Sequence, residues 1–171
     1  MSHDAEAPPP LSLSHGIQLF LLVVAVVAAW IFLCGQIGLM PVFGGFLLLW
    51  YWATVEKAAF NRLPASVIGS LAGVGLAWLF VLLPPRLGMM NGLIAAYAVT
   101  AFALFLVIMN WLPIAVNGAT MLFVTVLGAP ALITSINFVQ FSEAVVLGAV
   151  FFAAVVYAAT LYVRMRTKTT A

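Results

Sequence analysis

The chain has 171 residues, of which 66% are hydrophobic and 6% are charged, and its formal net charge is +2. Soluble domains carry about 25% charged residues, so a chain this poor in charge cannot cover a soluble surface. Its apolar runs are long enough to cross about 30 Å of hydrocarbon, and the alternation typical of barrel strands is missing. We therefore predict an all-α integral membrane protein in contact with the lipid bilayer, and the modest charge gives no indication of nucleic-acid binding.

Six apolar stretches follow one another along the chain. Residues 1–14 contain two acidic residues and three consecutive prolines, which predicts a mobile tail. Breaks at prolines, glycines and polar loops then divide the chain into six predicted transmembrane spans, at residues 15–37, 41–55, 64–83, 88–109, 113–127 and 142–163. Residues 131–141 are apolar but carry four polar side chains, and form either a partly buried loop or a short re-entrant segment. The basic tail at residues 165–171 closes the chain.

Basic residues predict the orientation of the spans. With six spans, both termini lie on one side of the membrane. That side would hold most of the basic residues: Lys57, Arg62, Arg164, Arg166 and Lys168. The other side would hold only Arg86. The positive-inside rule therefore predicts that both termini are cytoplasmic.

An internal repeat is visible when the first half of the chain is aligned with the second. At a shift of 72 residues, Pro41 falls on Pro113, Gly45 on Asn117 and Tyr51 on Phe123. Beyond the loop the register shifts, because the second half has a longer connection, and the aligned pairs are then Ala65 and Ala144, Gly69 and Gly148, and Trp78 and Tyr157. Each half, at residues 15–86 and 87–164, contains three spans. Because three is odd, the halves enter the membrane in opposite directions, which predicts a 3+3 inverted-topology repeat of the kind found in many transporters.

The stretch at residues 110–118 combines two amides, a proline and a glycine, and residues 38–45 match it in the first half. A pathway near the midplane would be lined by small and polar residues from these segments: Gly44, Gly45, Asn117, Gly118 and Thr120. Glycines leave room for a solute, and the Asn117 amide offers it both donors and acceptors. The alternative is that Asn117 and Thr120 only bond a neighbouring helix.

Small residues four apart in the third and sixth spans predict close helix packing, within the chain or between protomers. These positions are Ser66, Gly69, Gly73, Ala144 and Gly148. Aromatic residues near the span ends are expected to act mostly as interface anchors: Trp50, Tyr51, Trp52, Trp111 and Tyr162.

Ionisable residues are missing from the middle of the predicted spans, whereas carriers driven by protons or sodium keep such a group at depth. Their absence favours passive movement of a solute. Glu143 and His15, both at span ends, are the candidates for a coupling role. The single cysteine, Cys34, excludes an intrachain disulfide and a cysteine metal site, and no catalytic or cofactor motif is present. We therefore expect neither an enzyme nor a metal or cofactor.

Three segments resemble one known family: Gly45-Phe-Leu-Leu-Leu-Trp-Tyr51, the helix at residues 65–78 and the stretch at residues 112–119. They are similar to the YcdZ-like family of small bacterial inner-membrane proteins, whose domain has no assigned function. The resemblance implies only a bacterial inner (plasma) membrane. The acidic, proline-bearing tail is not a feature of that family.

Together these features predict a channel or facilitator for a small neutral or weakly charged solute. Its pathway would lie between the second and fifth spans, and the protein would form a homo-oligomer. One alternative is a coupled transporter of a small solute that uses Glu143 or His15. Another is a non-transporting subunit that docks to a larger membrane complex through the small-residue stripes of the third and sixth spans.

Overall fold

The computed structural model describes residues 13–169, apart from the side chains of His15 and of residues 166–169. Eight helices lie in this range: α1 (Leu13–Gln36), α2 (Phe43–Thr54), α3 (Leu63–Leu82), α4 (Pro84–Leu87), α5 (Met89–Met109), α6 (Gly118–Leu127), α7 (Pro130–Ile133) and α8 (Phe138–Thr169). A single 3₁₀ turn (Phe60–Arg62) precedes α3. The tail predicted at residues 1–14 lies outside the described residues, except for Leu13 and Ser14 in the first turn of α1.

Four helical segments are long and apolar enough to cross a membrane. Such segments are typical of a helical membrane protein. They are Gly16–Gln36, Phe60–Leu87, Met89–Met109 and Phe138–Met165. These segments correspond to the first, third, fourth and sixth predicted spans. The described chain thus has four candidate spans where the sequence predicts six.

The second and fifth predicted spans form the short helices α2 and α6, with 12 and 10 residues. At 1.5 Å per residue these helices are about 18 and 15 Å long, roughly half of the 30 Å hydrocarbon layer. Turns occupy the rest of both segments. Gly38 has a positive φ before α2, and Lys57 and Ala58 adopt the left-handed conformation after it. An irregular stretch precedes α6, and Asn110 at the end of α5 is also left-handed.

Helix α2 lies along α8 and runs in the same direction. A side chain at Gly44 would contact Phe141, and one at Gly148 would meet the backbone of Gly45. Residue numbers therefore rise together along the contact. Only glycines allow the two backbones to come this close.

Helix α3 lies along α6 in the same parallel manner. Ala65 is bonded to Asn117 at the start of the contact, and Gly73 lies against Thr120 and Phe123 farther along. Each short helix is therefore paired with a long helix that runs parallel to it.

Helices α3 and α8 are antiparallel. The Trp78 ring stacks on Phe138 with the ring centroids 5.8 Å apart, and Phe60 just before α3 meets Tyr157 edge to face at 6.3 Å. Low residue numbers on one helix thus face high numbers on the other. This contact joins the pair α2–α8 to the pair α3–α6.

The main core lies between α2, α3, α6 and α8. Its buried residues are Leu48, Val74, Ala77, Phe123, Val124, Leu127, Phe138, Phe141, Val145 and Ala149. A second cluster joins the end of α1 to α8 around the fully buried Trp30. Helices α1 and α5 flank the bundle, with 11% and 17% of their apolar windows buried. Their outer faces would therefore lie against lipid or another chain.

Charged residues mark the two ends of the bundle. Lys57 and Arg164 line one cavity, and Arg62 is 3.9 Å from the Glu56 carboxylate in the loop beside them. We call this the basic end. Arg86 belongs to α4 at the opposite end of the bundle, where Pro84 and Asn137 line a common cavity.

Candidate functional site

Asn117 begins helix α6 as its N-cap. Its side-chain Oδ1 accepts a hydrogen bond from the Ala119 N–H at 2.9 Å, and its backbone N–H donates to Thr120 Oγ1 at 3.0 Å. Its Nδ2 donates to the carbonyls of Ala65 at 2.9 Å and Pro113 at 3.1 Å. The amide therefore caps α6 and bonds it to α3, which is the structural alternative left open by the sequence.

Gly69 makes room for this amide. A Cβ at Gly69 would overlap the side chain of Asn117, and a Cβ at Gly73 would lie 2.5 Å from the Thr120 carbonyl oxygen. The absence of side chains at both positions lets α6 approach α3. The polar cap of Asn117 is thus enclosed between the two helices.

The corresponding contact in the other half joins α2 to α8. A Cβ at Gly148 would lie 2.5 Å from the Gly45 Cα, and a Cβ at Gly45 would lie 2.5 Å from the indole of Trp30 and 3.2 Å from the Ala144 carbonyl oxygen. The Trp30 Nε1–H donates to the Val42 carbonyl at 2.9 Å. Gly45 is therefore enclosed by α8 on one side and by α1 on the other.

The two contacts match under the alignment of the halves. Gly69 lies against Asn117, and Gly148, the counterpart of Gly69, lies against Gly45, the counterpart of Asn117. The carbonyl of Ala65 bonds to Asn117, and the carbonyl of its counterpart Ala144 lies close to Gly45. The same pairs of positions thus meet in both halves.

Buried polar side chains occur in one of these two contacts. Among the described residues they are Ser66, Ser70 and Thr120, each at most 1% exposed. Ser66 and Ser70 share a face of α3 with Val74 and Ala77, which belong to the main core. Both serine hydroxyls donate to carbonyls of their own helix, one turn earlier. The part of the core where α3 meets α6, toward the basic end, therefore contains three hydroxyl groups.

The repeat counterparts of these three residues are Val145, Ala149 and Leu48, and all three are buried and apolar. Both halves thus use the same helix contacts, one with hydroxyls and one without. The helix contacts of the other half form without hydroxyls, whereas in this half the Thr120 hydroxyl also completes the cap of α6 by accepting from the Asn117 N–H.

Tyr51 separates α2 from α6 near the basic end. A Cβ at Gly118 would lie 2.9 Å from the Tyr51 hydroxyl oxygen. The hydroxyl donates to the Glu56 carboxylate at 3.4 Å, and Glu56 is paired with Arg62. The buried phenol thus connects the start of α6 to the charged loop at the basic end.

The five predicted pathway residues lie in helix contacts. Gly44 and Gly45 face α8, Asn117 and Thr120 belong to the α3–α6 contact, and the exposed Gly118 faces Tyr51. Five cavities on the described part of the chain are lined by other residues. Tyr51 of α2 occupies the space beside Gly118 at the start of α6.

The predicted packing residues also lie in contacts within the chain. Gly69 and Gly73 face α6, while Ala144 and Gly148 face α2. Ser66 is fully buried beside them. The small-residue stripes of the third and sixth spans are thus covered by the protein's own short helices.

The two ionisable candidates lie away from this region. Glu143 is exposed on the outer face of α8 and borders a cavity with Leu71 and Leu147. His15 is in the first turn of α1, and its side chain lies outside the described residues. Within the described chain, no group of three or more possible metal ligands occurs.

Two aromatic residues expected at the membrane interface are buried instead. Tyr51 is 6% and Trp52 is 1% exposed, and the Trp52 Nε1–H donates to the Ala59 carbonyl at 2.9 Å, whereas Trp50 is 55% exposed. No sequence pattern indicates the fully buried Trp30. The alignment of the halves gives one indication that Tyr51 is buried, because it places Tyr51 on Phe123 in the middle of α6.

Comparison with family models, curated proteins and solved structures finds no match for the chain. The resemblance to the YcdZ-like family therefore stays a prediction.

Proposed function

We propose that the protein is a membrane channel or facilitator for a small neutral or weakly charged solute. Its pathway would run between α2 and α6, the second and fifth predicted spans, along the half of the core that contains hydroxyl groups. The solute would enter from the basic end and meet Thr120, Ser66 and Ser70.

The buried hydroxyls carry the proposal. Polar groups inside a membrane protein are costly unless they are bonded, and they often mark solute paths. Thr120 and its two serine neighbours have apolar counterparts in the other half, where the same helix contacts form without them. Thr120 has a second role in the cap of α6, but Ser66 and Ser70 bond only to backbone carbonyls one turn earlier, and a role in solute passage would account for these buried hydroxyls.

The matched helix contacts support the predicted 3+3 inverted repeat. The pairs Gly69–Asn117 and Gly148–Gly45 have the positions expected of two halves related by a two-fold axis. The antiparallel arrangement of α3 and α8 is consistent with an axis in the membrane plane. Under this proposal, α2 and α6 are the equivalent short helices on either side of the pathway.

Passage of a solute requires α2 and α6 to separate. Tyr51 fills the space at Gly118, and its hydroxyl is held by Glu56 at the basic end. Movement of this phenol would open a way from the exposed Gly118 to the buried Thr120. Glycine at residue 118 leaves the space that the ring would vacate.

The proposal also includes location and assembly. Basic residues at one end of the bundle support the expectation of cytoplasmic termini in a bacterial inner membrane. The sparsely buried α1 and α5 would pack against neighbouring protomers of a homo-oligomer.

Stopped-flow permeability of the purified protein in liposomes tests the function. The panel comprises water, urea, formamide, glycerol, acetate and ammonium, each with and without a pH gradient. We expect a rise for one or two neutral solutes without the gradient. No rise for any solute with folded protein would contradict a channel.

A matched pair of variants tests the pathway. Ser70→Ala removes a buried hydroxyl that donates only to the Ser66 carbonyl, and Thr125→Val removes an exposed one that donates only to the Met121 carbonyl. One hydrogen bond to a passing solute is worth about 1 kcal/mol, so Ser70→Ala should change permeability by roughly fivefold. Equal effects of the two substitutions would contradict this pathway.

The two alternatives gain less support. A coupled transporter would need Glu143 or His15 beside the pathway, but Glu143 lies on the outer face of α8. An accessory subunit that docks through the small-residue stripes would need surfaces that α2 and α6 already cover.

A further inference from the structure

A carboxylate lies inside a candidate membrane span without a partner in the described chain. Glu143 belongs to the segment Phe138–Met165 and is exposed on the outer face of α8. Arg62 is paired with Glu56, whereas Glu143 takes part in no ion pair or hydrogen bond described for the chain. A charged group in this position is costly in a bilayer unless it is paired or reaches the interface.

The carboxylate borders an apolar groove of about 520 Å³. The groove is lined by residues from three parts of the chain. These are Ile37 and Leu39 just after α1, Leu71 of α3, and Val146 and Leu147 of α8. The groove opens outward, since the side chains of Ile37, Val146 and Leu147 are at least 41% exposed. In a membrane this opening faces lipid.

Arg86 is the one basic residue that lies toward the same end of the bundle within the described part of the chain, and it is too far away. Glu143 lies five residues, about 7 Å, inside the level of the Trp78–Phe138 stack, whereas Arg86 lies beyond that stack in the separate helix α4. The two groups form no described ion pair. A second copy in the same orientation would carry Arg86 at the same depth, so it would not supply the cation either.

We infer that the groove binds a phospholipid whose headgroup carries a primary ammonium, as in phosphatidylethanolamine. The ammonium would pair with the Glu143 carboxylate at the edge of the groove, and an acyl chain would lie against Leu71, Val146 and Leu147. An ammonium has N–H donors for the carboxylate oxygens, whereas a trimethylated headgroup has none. An anionic headgroup would be repelled.

Native mass spectrometry of the purified full-length protein tests the inference. The protein is titrated with phosphatidylethanolamine, phosphatidylcholine and phosphatidylglycerol that share the same acyl chains. A charge-assisted hydrogen bond should give about a tenfold preference for phosphatidylethanolamine over either of the others. No preference in the unmodified protein would overturn the inference.

Three variants locate the site. Glu143→Gln should abolish the preference, while the control Glu56→Gln, at the basic end, should keep it. Leu147→Trp fills the groove and should weaken phosphatidylethanolamine binding although the carboxylate remains. An unchanged preference in Glu143→Gln would overturn the inference, and free ethanolamine binding as tightly as the lipid would overturn the part played by the acyl chain. The measurement does not involve transport, so its outcome is independent of the proposed function.

Discussion

Replacement of Gly69 by alanine tests the contact between α3 and α6. A Cβ at this position would overlap the Asn117 amide. The neighbour must therefore move, and the bonds that the amide makes to Ala65 and Ala119 would be strained or lost. The matched control is Gly75→Ala in the same helix, where a Cβ would meet open space.

Three contributions decide the size of the effect. Loss of the N-cap destabilises α6 by about 1 kcal/mol. Moving the amide out of the space at Gly69, with loss of its bond to the Ala65 carbonyl, adds about 1–3 kcal/mol. Alanine is more favourable than glycine within a helix by about 1 kcal/mol, which offsets part of the loss. We therefore expect Gly69→Ala to lower the free energy of unfolding by about 1–3 kcal/mol.

Unfolding of both variants by a denaturing detergent, followed by circular dichroism under one set of conditions, gives the comparison. Gly75→Ala should leave the free energy of unfolding unchanged or raise it by up to about 1 kcal/mol. Equal stability of the two variants would refute the close approach of α6 to Gly69.

Further substitutions examine the same contacts. Asn117→Ala should destabilise the protein by about 2–3 kcal/mol in the same assay, because it removes both the cap of α6 and the bond between α6 and α3. The control Asn137→Ala removes a helix cap alone and should cost about 1 kcal/mol. Gly148→Ala should lower stability by about 1–3 kcal/mol, since its Cβ would meet the Gly45 backbone; a neutral result would show that α2 and α8 are farther apart. Tyr51→Phe should change the unfolding free energy by about 1 kcal/mol or less because its hydrogen bond is long, and a larger loss would indicate a stronger bond to Glu56 than the 3.4 Å distance implies.

The long helices could be read from the sequence because length and apolar composition alone define them. The start of α6 could not. The fifth predicted span begins at Pro113, but α6 begins at Gly118, because the Asn117 side chain caps the helix there. The second predicted span, at residues 41–55, exceeds α2 by only three residues.

The role of Asn117 could be predicted only as two alternatives. Its amide is bonded to Ala65, which is 52 positions away in the chain, and no local pattern specifies that partner. The alignment of the halves makes Gly45 the counterpart of Asn117 and Gly148 the counterpart of Gly69, but it does not say which positions touch. The structure brings Gly69 against Asn117 and Gly148 against Gly45, so equivalent positions make equivalent contacts.

Comparison of Asn117 with its counterpart Gly45 shows which of the Asn117 contacts the packing of the helices requires. At the equivalent contact, Gly45 lets α2 approach α8 with no side chain, and α2 begins without a side-chain cap. A small residue therefore suffices for the helix contact. The amide at Asn117 does more, since it caps α6 and fixes the short helix to the Ala65 carbonyl beside the buried hydroxyls. If α6 moves during solute passage, this bond to Ala65 must break, and its removal by Asn117→Ala should then alter permeability as well as stability.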